Sequence, residues 1–344
     1  NASGGDLIYG ISEQRDNNGK PTGLPQSVVG IVDVNLDSEI RRLDNLIRDA
    51  IEPRIAAQIR AIENASLETV IIIRVPNSFS APHMVTYKNT SRFFSRNSAG
   101  KYQLDLQEIR TAFLASEALP DQISRFRHER LTKIIAGETP YPLSEGSPVV
   151  LHVIPVSSFT DKKQIDVSRQ VSNFHQWISP IDTNYSLSRY NFDGFVSGSR
   201  ENGQFVSGYL QIFRNGILEA TDTYILRQWQ DEKTLPITYL EKSLILALRN
   251  YFRLLQELEF APPILVLLSL LNIKGFQIPL RSTWGRNITP IDRHSLILPD
   301  NLIEEFSENT DVILHPLFDV LWQSAGFEGS LNYNENGRWQ ERTR

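Results

Sequence analysis

The period of the hydrophobic and polar positions changes several times along this chain. After Gly4-Gly5, the run Asp6-Leu7-Ile8-Tyr9-Gly10-Ile11 is almost continuously apolar and predicts a buried strand. Asp16-Asn17-Asn18-Gly19-Lys20-Pro21 is dense in turn formers and reads as a loop. Ile40, Leu43, Leu46, Ile47 and Ile51 then recur at helical spacing, with Asp37 or Ser38 as a natural N-cap. Pro53 is expected to kink or restart that helix before Ile55, Ile59 and Ile62. Thr69–Val75 is the clearest strand. Asn89-Thr90-Ser91 separates His83–Lys88 from Arg92–Arg96 and predicts a β-hairpin. Asp105 and Glu108 have capping-box spacing for a helix through Leu114. Pro120 opens a second predicted helix with Ile123, Phe126, Leu131 and Ile134, ended by Gly137.

The stretch from Gly137 to Pro148 is rich in glycine and proline and is the best linker. Beyond it, Val149–Val156 reads as a strand. Phe192–Leu226 reads as an antiparallel meander, with Asp193-Gly194, Asn202-Gly203 and Asn215-Gly216 as hairpin turns. Tyr239–Leu258 carries Leu244, Leu248, Tyr251, Leu255 and Leu258 on one helical stripe, which the apolar strand Ile264–Ile273 is placed to cover. Short helices are expected between Leu296 and Gly326. The fold class is therefore α/β to α+β: a mixed sheet with helices over residues 1–140, then a second α+β domain over 149–344.

Composition narrows the function. The chain has 344 residues, no cysteine and a formal net charge of −5. Without cysteine there can be no disulfide, thiolate metal site or cysteine nucleophile. A cytoplasmic setting fits, with no signal peptide visible and no apolar run long enough to span a bilayer. Gly19-Lys20 fails the phosphate-loop pattern, so no ATP site is read. The six histidines (His83, His128, His152, His175, His294, His315) show no metal-ligand spacing; His152 inside a strand reads as a satisfied core residue. The overall charge gives no attraction to nucleic acid, so such binding would need a local patch. Lys88 to Lys133 supplies one, with nine Lys or Arg against five acids, a local +4. Within it Arg92 and Arg96 alternate with Phe94 and should share one face of the hairpin. The alternative is a solvated strand face with ordinary helix salt bridges.

Several motifs occur in a fixed order. They are Asn1-Ala2-Ser3-Gly4-Gly5 leading into the first strand, Ile71-Ile72-Ile73-Arg74-Val75-Pro76, Pro82-His83, and Tyr87 followed by Arg92-Phe93-Phe94-Ser95-Arg96-Asn97-Ser98. Together they resemble the Schlafen-type AlbA domain. The helix from Leu104 to Ser116 and the segment Arg125–Leu131 look like bacterial members of that group. The resemblance covers roughly residues 1–140 and implies binding of RNA or DNA, without a membrane partner. Lys88, Arg92, Arg96, Lys101, Arg127 and Arg130 would be the contact residues, with His83 beside the hairpin.

The animal relatives also imply RNA cleavage by three carboxylates that hold a divalent metal such as Mg²⁺ or Mn²⁺. Two of these acids belong to an E-x-x-x-x-E-F-K element upstream of the glycine strand, and so are expected before Asn1. Glu13 matches the third position; alternatively it is a solvated glutamate at a loop edge. The rival to a metal-dependent endoribonuclease is a non-catalytic regulatory or assembly module acting as a homo-oligomer.

Overall fold

The computed structural model describes the chain apart from residues 1–3, 32–34, 56, 64–67, 76–77, 79–80, 98–99, 161–163, 171–176, 228–232, 280–288 and 342–344. Asn1–Ser3, Pro76, Ser98 and His175 of the sequence reading thus lie outside the described residues. The chain divides into two compact units, Asn1–Asp121 and Gln122–Arg344. With helices and antiparallel sheets in both, the fold is α+β.

Unit 1 runs β1 (Gly5–Tyr9), β2 (Ile11–Arg15), β3 (Pro21–Val28), α1 (Leu36–Ala50), β4 (Ile51–Glu52), β5 (Gln58–Glu63), β6 (Thr69–Val75), β7 (Met84–Tyr87), β8 (Thr90–Asn97) and β9 (Gly100–Gln103), and enters α2 (Leu106–Ile135). The strands form three antiparallel sheets: β1-β6-β5, β2-β3 and β4-β7-β8-β9. The first predicted strand is divided in two. Gly10 turns the chain at φ +100°, where a Cβ would lie 3.0 Å from the Thr69 carbonyl oxygen. Nor is β1 buried as expected. Leu7 is 51% exposed at the sheet edge, whereas Ile71 and Ile73 of the central β6 are buried.

Two helix predictions need correction around prolines. The N-cap of α1 is Asn35, whose side chain accepts the Ser38 N–H at 3.0 Å, and the helix stops before Pro53. Residues expected to continue it form β4 and β5 instead, because proline drives the residue before it towards extended backbone. At Pro120 the opposite happens: α2 runs through it. Leu119 and Ile123 on either side are buried, so packing outweighs the single hydrogen bond that proline forfeits.

The ends of α2 follow the sequence. The Asp105 N–H donates to Glu108 Oε2 (2.9 Å), and the Glu108 N–H to Asp105 Oδ1 (2.8 Å). At the other end Gly137 adopts φ +76°. Its N–H reaches Ile134 O, and the Glu138 N–H reaches Lys133 O.

Unit 2 takes the second half of α2 and continues with β10 (Val149–Pro155), α3 (Ser157–Thr160), α4 (Val167–Gln170), β11 (Leu187–Tyr190), β12 (Gly194–Arg200), β13 (Val206–Phe213), β14 (Leu218–Asp222), α5 (Ile237–Glu257), β15 (Ile264–Leu271), β16 (Ser295–Ile297), β17 (Asn301–Ile303) and α6 (Thr310–Gln323). The strand order β11-β12-β13-β14-β10-β15-β16, with β17 also on β15, makes one antiparallel sheet. Leu151, Leu210 and Leu268 project from one face into a core with Leu244, Leu248 and Leu255 of α5 and Phe318 and Trp322 of α6. On the other face Leu131 and Ile134 of α2 pack with Val150 and Leu271.

The division therefore falls inside α2, earlier than the Gly137–Pro148 linker, because the second half of that helix is a layer of unit 2. The chain end also differs from expectation, with two short strands and one helix where short helices were predicted. Among the described residues no helix is long and apolar enough to cross a membrane.

Candidate nucleic-acid interface

The sheet β7-β8-β9 has two different faces, fixed by alternation along β8. Register pairs Arg92 with Val85, Phe94 with Gln103, and Arg96 with Lys101, so these side chains project together. Phe93, Ser95 and Tyr102 take the other side. There Phe93 meets Phe113 of α2 edge-on at 5.8 Å between ring centroids, and the Tyr102 hydroxyl lies 3.4 Å from Glu108 Oε1. One face is thus turned to the helix and the other to solvent.

The outward face alternates cations with aromatic rings. Arg92 Nη1 donates to Gln103 Oε1 at 3.0 Å, which holds its guanidinium along the sheet. The Lys101 ammonium lies 4.8 Å from the centre of the Phe94 ring, and that of Lys88 lies 5.3 Å from the Tyr87 ring. Lys88 and Asn89 at the β7–β8 turn have φ +47° and +58°, which gives the hairpin twist and shifts the turn one residue earlier than predicted. Among the described residues, Lys88, Arg92, Arg96 and Lys101 have no carboxylate partner. Such a surface has positive charge to spend on an outside anion.

Two of the six expected contact residues are not on any surface. Arg127 and Arg130 are 6% and 8% exposed, within unit 2. Arg127 donates to the carbonyls of Leu268 (2.6 Å) and Leu298 (2.9 Å), to Ser269 Oγ, and to Asp300. Arg130 holds Glu219 through two bonds of 2.8 Å. Their donors are already committed, so neither can reach a phosphate. A signal for this was present in the sequence: Ile123, Arg127, Leu131 and Arg130, Ile134 follow helical spacing, which puts both arginines on the apolar stripe of α2.

Glu13 stands at the β2–β3 hairpin, where its Oε1 accepts the Gly23 N–H at 2.6 Å. Among the described residues no three His, Cys, Asp or Glu side chains converge as metal ligands. Glu13 is thus engaged with the backbone of its own hairpin, and no hydrolytic step is assigned to it.

His83 is half-buried. Its Nδ1 donates to the Pro53 carbonyl at 2.6 Å while Nε2 is buried without a partner, and burial lowers its pKa. The ring fastens the chain before β7 to Pro53. His152 is fully buried and only half satisfied, since Nε2 meets Glu219 at 3.0 Å and Nδ1 has no partner.

The small antiparallel sheet thus carries cations and rings on one face and has a helix behind the other. Residues 1–105 match the family model described as Schlafen, AlbA_2, so the N-terminal part of this chain is a Schlafen-type AlbA domain. No curated protein and no solved structure matches the chain.

Proposed function

We propose that this Schlafen-type domain binds nucleic acid across the outer face of β7-β8-β9. One observation carries the reading: Arg92, Arg96 and Lys101 are unpaired by acids and share their face with Phe94, while the reverse face is occupied by Phe113. Arginine and lysine here would meet the phosphate backbone, with affinity driven by counterion release, and the rings offer stacking to unpaired bases. Contacts of this kind do not choose between RNA and DNA.

The test is a filter-binding titration of single-stranded RNA and DNA at several salt concentrations. Arg92→Glu with Arg96→Glu is expected to weaken binding to all sequences alike. The slope of log affinity against log salt should fall by about 1.4, the loss of two phosphate contacts to a single strand. Equal affinity and slope in that variant would take the face out of the interface.

A further inference from the structure

A concave site lies wholly within unit 2. The loop from Leu143 to Ser147, the β12–β13 turn and the segment following β15 enclose a cavity of about 960 Å³, near the upper end of the size of small-ligand sites. Its walls are tied to one another. The Ser144 N–H donates to Val206 O at 2.8 Å, Ser147 Oγ to Asn272 O at 3.0 Å, and the Ile273 N–H to His294 O at 3.0 Å. Arg227 Nη2 donates to Glu201 Oε2 at 2.6 Å and pins the β12–β13 turn. A cavity fastened on several sides is pre-formed, and a ligand entering it has little wall to order.

The charge lining it is also informative. Glu201 and Arg227 neutralise each other. Two lysines remain, Lys233 and Lys274, against one acid, Glu145; none of the three has an ion-pair partner among the described residues. The Lys233 ammonium is drawn to the Lys274 carbonyl oxygen (3.1 Å). It passes Gly275, where a Cβ would stand 3.3 Å from the lysine stem, so the absence of a side chain there leaves that path free. His294 adds a third nitrogen donor. Phe205, 44% exposed, lines the same cavity, as do Asn202 and Asn272. Cations, an exposed aromatic side chain and amides are the groups that a phosphate joined to a planar base would call for.

We propose that this cavity binds a mononucleotide, with Lys233, Lys274 and His294 on the phosphate and Phe205 against the base. The site is independent of the cationic sheet of unit 1 and owes nothing to a phosphate loop. Isothermal titration of the full chain with AMP, adenosine and inorganic phosphate tests it. AMP is expected to bind more tightly than either fragment. Lys233→Glu with Lys274→Glu should weaken AMP about tenfold or more, the loss of charge-assisted bonds. Lys274→Gln, which adds no repulsion, should weaken it less. Phe205→Ala should cost affinity for AMP and leave phosphate unchanged. Arg92→Glu with Arg96→Glu should leave AMP binding intact, which separates this site from the nucleic-acid face. The absence of AMP binding at millimolar concentration, or an AMP affinity indifferent to the lysine substitutions, overturns the proposal. Phosphate binding as tight as AMP overturns the assignment of Phe205 to a base.

Discussion

Glu219 is a carboxylate with no exposure at all, a position where burial alone would raise its pKa. Arg130 and His152 reverse that and hold it at about 2, and the Tyr209 hydroxyl adds a bond of 2.9 Å. The ion pair is costly to half-remove. Arg130→Ala is expected to destabilise unit 2 by about 3–5 kcal/mol in a denaturant titration, since it strands a buried charge. A loss below 1 kcal/mol would mean that water or His152 compensates. Because the folded pKa lies below the ordinary 4.5, this contribution is complete above pH 4.5 and disappears as pH falls through about 2.

Asp222 behaves in the opposite sense. Burial is the main cause that lifts its pKa from 3.8 to about 7, and Oδ2 has no hydrogen-bond partner. Between those values the unfolded chain is ionised at this position and the folded one holds its proton, so stability falls as pH rises, by up to about 1.4 kcal/mol per pH unit. Asp222→Asn keeps an oxygen for the Ile225 N–H and should flatten the melting temperature between pH 4 and pH 7. A variant with the wild-type pH profile would show that Asp222 is ionised in the fold.

At the scale of elements, β8 shows what alternation decides. Phe93 and Phe94 are adjacent and chemically identical, yet one packs on Phe113 and the other lies under Lys101. Phe93→Ala should therefore cost stability, roughly 1–3 kcal/mol, less than the 3–5 of a fully buried phenylalanine. Phe94→Ala should leave the melting temperature nearly unchanged and weaken single-strand binding by about 1–3 kcal/mol. The reverse assignment of effects would mean that the two faces are exchanged.

This pairing was legible in the sequence because a strand has a period of two and the arginines flank the rings. The capping box at Asp105 and the Gly137 terminus were legible as well, being local hydrogen-bond chemistry. The prolines were not. Pro53 ended a helix and Pro120 did not, and the difference lies in Leu119 and Ile123, whose burial depends on residues distant in sequence. Charge counting failed likewise at Arg127 and Arg130. A sum over a segment carries no direction, and only the helical stripe separates them from the exposed cations of the hairpin.

At the scale of the whole molecule the two units differ in how much they bury. The buried apolar side chains of the described part of unit 1 are Ile71, Ile73, Pro82 and Leu119, whereas β10, β13, β15 and α5 of unit 2 are buried along most of their length. The β2–β3 hairpin has no buried residue, and its strands rely on cross-strand bonds such as those between Ser12 and Ser27. Hydrophobic burial is the main source of folding free energy, so local opening should be easiest where it is least. Native-state hydrogen exchange on the full chain measures this directly. Amides of β2 and β3 are expected to exchange first and those of β6 next. Amides of β10 and β15, paired along Val149–Pro155 with no exposed residue on either strand, should exchange last. Low denaturant should then speed exchange in β6 well before it reaches β10, because the smaller core opens as its own cooperative unit. If β6 and β10 instead show the same opening free energy and the same denaturant dependence, the chain unfolds as one unit, and the division inside α2 has no thermodynamic counterpart.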